Sequence, residues 1–491
     1  MALFIVMTRL FLTSYLVILF SHTGDTACNI KIKYFGNMSS SALDIMGLQD
    51  ASPPFGSHLS GLYKRSFAYV TLKDRVPVTV TRIIDRMSRS KDEIIEKYGQ
   101  DSAEELKQVI GDLSELKSEL MTNKFLSRLN STNTENSNDI IKWNREIENQ
   151  IDKGKPPTWY NATWLFSECY MYRRIAQIFQ VTKTLTSYDP FESLKYESFH
   201  QSLAPMSSLA KFINTLLNKT ETYSLDEQKT DFINLLKMNL WGNQCDLSLS
   251  AGASIPVEDQ NPFDQIAELE ENLLINDSES VWNLLNQAKE TRKNITVDVI
   301  LDNAGYELFT DLCLGIFLTS QNIVHKIRFY VKMFPWFVSD TMEKDFYWMI
   351  DQLKNSSNNN LKAMGEKCLE YLKSERWSIE VESFWTEPFD FSKMKTETPK
   401  LYNKLSEAVL IITKGDLNYR KLLGDINWEY STKLKTALRE FQPTNLIALR
   451  TVKADLIVGI SSDKAAELSH KDPNWMTTGQ YGIISAALND S

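Results

Sequence analysis

The stretch from Ile295 to Leu312 constrains the fold more than any other. The residues Ile295, Thr296, Val297, Val299 and Ile300 form a β-branched run, and LDNAGYELFTDL (301–312) follows directly. A β-branched run of this length reads as a buried strand, and the next residues read as a helix. Strand and helix are then joined by a link so short that a βα unit results. Asp302 and Asn303 stand at the strand's C-terminal tip. In an open α/β sheet, ligands bind in the crevice beyond the carboxyl ends of strands. A carboxylate and an amide oxygen on that rim suit a hard divalent cation. The plainer alternative is a helix N-cap, a position that Asp and Asn also favour.

The pattern repeats at IRFYVKMFPWFVSDT (327–341), which places Asp340 past a second apolar run. Neighbouring strands lie about 4.8 Å apart, so Asp302 and Asp340 can share one ion if their strands are adjacent. Here too a cap is the plainer reading, with Ser339 or Asp340 at the helix start. Glu307, one turn beyond Asp302, either completes a cap or points into the same crevice.

The remaining pattern extends this alternation. Strands are expected at 297–301, 326–332, 407–413, 445–450 and 455–459, and helices at 304–319, 341–353, 360–373, 399–406 and 431–440. Such alternation predicts a mostly parallel sheet with helices on both faces. The earlier part differs. From Leu62 to about Trp241 apolar residues recur at helical spacing (Val80, Ile83, Ile84, Met87; Leu106, Val109, Ile110, Leu113), and WLFSECYMYRRIAQIF (164–179) reads as a buried helix. The expected fold class is α/β: an all-helical N-terminal domain over 62–250 and a Rossmann-like α/β/α three-layer domain over 251–491. Residues 28–61 read as a flexible lead-in.

A chain of 491 residues with a net charge of −9 and a pI of about 5.4 is no general nucleic-acid binder. Its five cysteines are scattered without a CxxC pair, which argues for reduced thiols and against a disulfide scaffold or structural zinc. The five histidines are dispersed and no HExxH occurs. Residues 1–27 resemble a secretory signal peptide, and their apolar stretch is too short for a stable membrane anchor. Asn161, in one of several sequons, sits beside Trp159, Tyr160 and Trp164, an expected buried aromatic cluster.

Two basic segments complete the candidate chemistry. KGDLNYRKL (414–422) offers Lys414, Asp416, Asn418, Arg420 and Lys421, with Gly415 allowing close backbone approach; such a loop suits a phosphate or carboxylate, or is simply solvated. RTVKAD (450–455) sets Arg450 and Lys453 about 10 Å apart if extended. Both could neutralise a phosphoryl group, or they are snorkelled strand-end cations. LWGNQCDLS (240–248) reads as a packed corner.

In combination these motifs resemble the DUF89 family of metal-dependent, damage-control phosphatases, in particular the subfamily with an RTxK signature, here Arg450–Thr451–Val452–Lys453. SFAYVTLKDRVP (66–77), ECYMYRRI (168–175), LWGNQCDLS, LDNAGYELFTDL, PWFVSDT, KGDLNYRKLLGD (414–425), RTVKAD and WMTTGQYGI (475–483) share in the likeness, which runs from about 62 to about 485. The resemblance implies Asp302, Asn303 and Asp340 as ligands of manganese, nickel, cobalt or magnesium. It implies that Asp302, Asn303, Asp416, Leu417, Asn418, Tyr419, Arg420, Arg450 and Lys453 contact substrate, and that Asp302, Glu307 and Lys453 are catalytic. The implied substrate is a small phosphorylated sugar such as fructose 1-phosphate or fructose 6-phosphate.

Two alternatives stand beside hydrolysis. Relatives are also described as S-adenosyl-L-methionine-dependent protein-glutamate methyltransferases, for which Glu307 and Asp340 would meet the cofactor. A secreted, non-catalytic binding protein is the other. The family likeness points to the cytoplasm, whereas residues 1–27 point to the secretory pathway.

Overall fold

The computed structural model describes residues 47–130, 138–219, 223–249, 263–292 and 294–489, with the side chains of 243–249 and 264–265 left out. The signal-like segment, Cys28 and the side chains of Asn243, Cys245 and Asp246 lie outside the described residues, as do residues 250–262, where one domain was expected to give way to the next.

Among the described residues seven strands form one sheet: β1 (Leu273–Asn276), β2 (Thr296–Ile300), β3 (Lys326–Val331), β4 (Trp377–Val381), β5 (Leu410–Lys414), β6 (Asn445–Thr451) and β7 (Gly482–Ala487). Their spatial order is β1-β7-β6-β5-β2-β3-β4. All neighbours are parallel except β6 and β7. The chain runs outward from β2 to β3 and β4, then returns to β5 on the other side of β2 and continues to β6 and β7. That reversal makes the β2/β5 boundary the topological switch point, where open α/β sheets bind ligands.

The central strands are apolar on both faces, as helices on each side require. Within β2 the exception is Asp298, fully buried and paired with Arg328, its register partner on β3, at 2.6 and 2.8 Å. The helix Tyr306–Ser320 that follows β2 is buried almost all round. It lies against the helices Leu203–Asn218 and Leu225–Leu249, so the helical region packs directly on the α/β layer. The helix Trp164–Gln180 is likewise buried, as its sequence predicts.

Several expectations need correction. Residues 455–459 are not a strand; Val458 N donates to the Tyr419 hydroxyl instead of joining the sheet. The helix expected at 431–440 shrinks to Leu434–Ala437. β1, β4 and β7 were not expected. Trp241 and Gly242 lie inside the helix Leu225–Leu249, where no corner occurs. Part of the supposed flexible lead-in is docked: Gly56 N donates to Asn427 O at 2.7 Å, Leu59 N donates to Asp425 O at 2.8 Å, and the Leu59 side chain is buried. Trp159, Tyr160 and Trp164 are buried, but Asn161 is exposed, its amide bonded to Thr158 N and Pro156 O. The described cysteines, Cys169, Cys313 and Cys368, are free and buried. Among the described residues no helix is long and apolar enough to cross a membrane.

Candidate active site

Neither Asp302, two residues past β2, nor Asp340, nine residues past β3, is a helix cap. The helix after β2 starts at Tyr306 with Gly305 at its N-cap, and the helix after β3 starts at Glu343 with Met342 there. The residues between are instead joined to one another. Thr341 N donates to Asp302 O and Ala304 N to Ser339 O, both at 2.7 Å, and Asn303 pairs with Asp340 as an isolated antiparallel bridge. The two βα turns are thus stitched together, and Asp302, Asn303 and Asp340 share one cleft.

Around these residues lies an unusual density of buried charge. The Asn303 amide nitrogen donates to Asp302 Oδ2 at 2.9 Å and to Glu307 Oε2 at 2.7 Å, while its oxygen accepts from the Ser339 hydroxyl. Lys332, just past β3, reaches Leu301 O at 2.9 Å and Asp340 Oδ2 at 3.1 Å. Lys414, at the end of β5, contacts Glu307 at 2.9 Å and Asp311 at 3.1 Å. Four carboxylates (Asp302, Glu307, Asp311, Asp340) therefore face two ammonium groups. Burial, then the charges of Glu307 and Asp340, hold the Asp302 carboxyl well above the usual range. Burial raises Asp340 against the pull of Lys332. It also pushes Asp311 up to about 6 against Lys414.

Such an excess of buried negative charge is what a bound cation relieves. The donors are all oxygen, which suits a hard divalent ion. Turning the Asn303 amide through 180° would present its oxygen to the carboxylate side. Among the described residues no group of three or more His, Cys, Asp or Glu side chains is arranged around one point, so the candidate set is two carboxylates and an amide.

Gly415 explains how β5 approaches so closely. Its φ is +82°, and a Cβ there would lie 1.9 Å from Asp302 Oδ2. On the opposite rim Phe337 and Val338 have φ of 42° and 71°. For a β-branched residue this is a strained conformation of the kind that clusters at functional sites. Phe337 is held by stacking on Tyr172 with ring centroids 4.5 Å apart.

The cleft has a volume of about 650 Å³, within the range of small-molecule sites. Asp302, Asn303, Glu307, Asp340, Asp416, Leu417, Arg420 and Lys453 line it; Asn418, Tyr419 and Arg450 do not. Asn418 bonds the carbonyls of Leu301 and Lys414. Arg450 is fully buried over the Tyr419 ring, bonded to Asp416 Oδ1 at 2.7 Å and to the carbonyls of Leu456 and Ala454. Arg420 borders the cleft, but its guanidinium is held by both oxygens of Asp425 and by Glu168 at 2.6 Å, 3.5 Å above Trp164. Of the three cations expected to meet a phosphoryl group, Lys453 alone is exposed and free of an ion pair among the described residues.

The family pattern for the damage-control phosphatase ARMT1-like domain matches residues 71–468. The chain is 39% identical to damage-control phosphatase ARMT1 of Danio rerio over 433 residues, 87% of this chain and 96% of that one. It is 39% identical to those of Homo sapiens and Bos taurus, over 87% and 88% of this chain and 97% and 98% of theirs. The chain belongs to the ARMT1-like damage-control phosphatase family. The RTxK signature of this family member ends β6 and divides in function: Arg450 turns into the core and Lys453 into the cleft.

The sequence reading missed several contributors. Lys332 pairs with Asp340, Asp311 with Lys414, and Ser339 donates to the Asn303 amide oxygen. Phe67, Thr71, Arg75 and Arg82 line the cleft from the helical region; the SFAYVTLKDRVP motif marked part of that segment without giving it a role. The turn after β2 holds one glycine, Gly305, and the space a Cβ would take there is met by Ser198 Oγ at 2.7 Å.

Proposed function

We propose that this protein is a metal-dependent phosphatase acting on small sugar phosphates of the fructose 1-phosphate or fructose 6-phosphate type. The observation that carries this reading is the convergence of Asp302, Asn303 and Asp340 at the switch point of the sheet, with more buried carboxylates than lysines around them. Membership of a phosphatase family supports it.

In this reading Asp302 and Asp340 would hold the ion through carboxylate oxygens and Asn303 through its amide oxygen, with manganese, nickel, cobalt or magnesium fitting such donors. When bound, the ion supplies Lewis-acid polarisation of a phosphoryl oxygen and a nucleophilic water. The residues around it perform the rest. Lys332 and Lys414 orient the acids from beneath and keep part of their charge balanced. Glu307, fixed by Lys414, is placed to accept a proton from an attacking water. Lys453 neutralises charge on the departing oxygen. Asp416 has one oxygen held by Arg450 and the Lys453 backbone, which leaves the other for a sugar hydroxyl. The Phe337 ring, backed by Tyr172, gives the sugar an apolar face.

The test is phosphate release from a panel of sugar phosphates with manganese, nickel, cobalt or magnesium, and with EDTA. Asp302→Asn at saturating manganese is expected to lower turnover by about 10³-fold, an ~4 kcal/mol loss, with an unchanged circular dichroism spectrum. Wild-type turnover in that variant, or in EDTA, would remove the metal from the reading.

A further inference from the structure

The cations that face the cleft without partners come mainly from a segment the sequence reading gave no chemical role. Phe67–Val70, Thr71–Arg75 and Val76–Arg89 follow one another as a single helix interrupted by a π-turn. Such turns are frequent at functional sites. Thr71, Asp74, Arg75, Val78, Thr79 and Arg82 line the cleft, and this spacing describes one helical face. Arg75 and Arg82 are exposed and make no ion pair among the described residues. Arg75 rests over the Phe67 ring at 5.1 Å. The acid on the same face, Asp74, is exposed and lies 4.0 Å from Lys73.

The two arginines are seven residues apart, a rise of about 10 Å along the helix. Two like charges with no salt bridge among the described residues therefore line one wall of a cleft whose floor is acidic, with Asp74 beside them and Glu168 near Arg75. Arginine's planar fork matches phosphate bidentately, and hydrogen bonds of this charged kind are about twice as strong as neutral ones. With Lys453 serving the reacting group, Arg75 and Arg82 have no task in hydrolysis of a monophosphate.

We propose that Arg75 and Arg82 form a second phosphate subsite, and that the preferred ligand is a sugar bisphosphate whose non-reacting phosphate they hold. This rests on the phosphatase reading for the identity of the reacting end.

The experiment compares fructose 1,6-bisphosphate with fructose 6-phosphate. Binding is measured by calorimetry in EDTA at fixed ionic strength, and turnover with manganese. The bisphosphate is expected to bind at least tenfold more tightly. Arg75→Gln and Arg82→Gln each remove most of that advantage and raise KM for the bisphosphate more than they change kcat. Arg82→Lys restores part of it. Arg89→Gln, on the same helix but outside the cleft and paired with Asp85, leaves the advantage intact and controls for net charge. Equal binding of the two sugars, or an advantage that survives both glutamine variants, overturns the subsite. A bisphosphate advantage that follows the arginines without phosphate release from any ester upholds the subsite and removes the phosphatase reading. Phosphate release without such an advantage does the reverse.

Discussion

The two sides of the cleft hold their arginines in opposite ways. On the sheet side every arginine is locked: Arg420 between Asp425 and Glu168, Arg450 between Asp416 and two carbonyls. On the helical side Arg75 and Arg82 are solvated and unpaired among the described residues. A buried guanidinium must be satisfied by the protein itself, because water is not there to do it. Such a group serves geometry. A guanidinium at the mouth is solvated until a ligand arrives, so its charge remains available. Cationic type alone therefore does not identify a phosphate ligand; burial and partners do.

The largest expected effect tests the locked wall. Arg450→Leu removes the fully buried member of the pair with Asp416 and leaves the carbonyls of Leu456 and Ala454 without their donor, while Asp416 keeps the Lys453 N–H. Loss of about 2–5 kcal/mol is expected, from about 1–3 kcal/mol for each buried carbonyl left unsatisfied, read by urea unfolding followed through tryptophan fluorescence. A loss under 1 kcal/mol would mean that Arg450 is not structural, and the contrast between the walls would fail.

Next in size is Gly415→Ala, which acts on the contact between β5 and Asp302. The new Cβ would meet the Asp302 carboxylate and sit at φ +82°. Displacing Asp302 by even 1 Å is expected to lower manganese-dependent turnover about 10²-fold, ~2.7 kcal/mol. Unfolding free energy should fall by more than about 1 kcal/mol as well, because Ala is strained at this φ. Turnover equal to wild type would show that the close approach has no catalytic consequence.

The difference between the walls also explains what could be read from the residues. The parallel core was legible because β2, β3, β5 and β6 are short runs dominated by β-branched, aliphatic or aromatic residues, each followed by a turn or loop. β7 (GIISAA) carries small residues of low strand propensity, and β1 spans four residues, so neither announced itself. Residues 455–459 looked like a strand because they are apolar. Their backbone instead winds round the Arg450 guanidinium, which takes the carbonyls of Ala454 and Leu456. Asp302 is legible as a rim residue because it follows β2 by two residues; Asp340 is legible because it closes the turn after the β3 apolar run, nine residues beyond that strand. The pairing of Arg420 with Glu168 was not, since 252 residues separate the two. Arg75 and Arg82 looked like the ordinary polar face of an amphipathic helix, and only the cleft opposite gives them meaning.

A smaller effect concerns the joint between the walls. Asp455, on the sheet side, accepts from Phe67 N at 2.8 Å at the start of the cleft helix, and its other oxygen is buried without a partner. Burial pushes this carboxyl up to about 6 from an ordinary value of 3.8. The folded protein thus binds that proton more tightly than the unfolded chain. The stability it contributes is complete below about pH 4 and is lost as pH rises to about 6. Allowing for partial exposure, the fall is about 1–2 kcal/mol. Asp455→Asn keeps the acceptor and removes the titration. Its stability should fall less than that of wild type between pH 4.5 and pH 7.5, and a fall equal to wild type would exclude Asp455 as the source.

The smallest expected effect is the most direct comparison with Arg450. Arg82 makes no hydrogen bond or ion pair among the described residues, so Arg82→Gln should change unfolding free energy by less than about 0.5 kcal/mol, as surface substitutions do. Added fructose 1,6-bisphosphate raises the melting temperature in proportion to the logarithm of its saturation. That rise should therefore shrink in Arg82→Gln while the unliganded melting temperature stays put. A fall in the unliganded value comparable with that of Arg450→Leu would place Arg82 among the structural arginines, and the free wall would then hold its charge in the same way as the locked one.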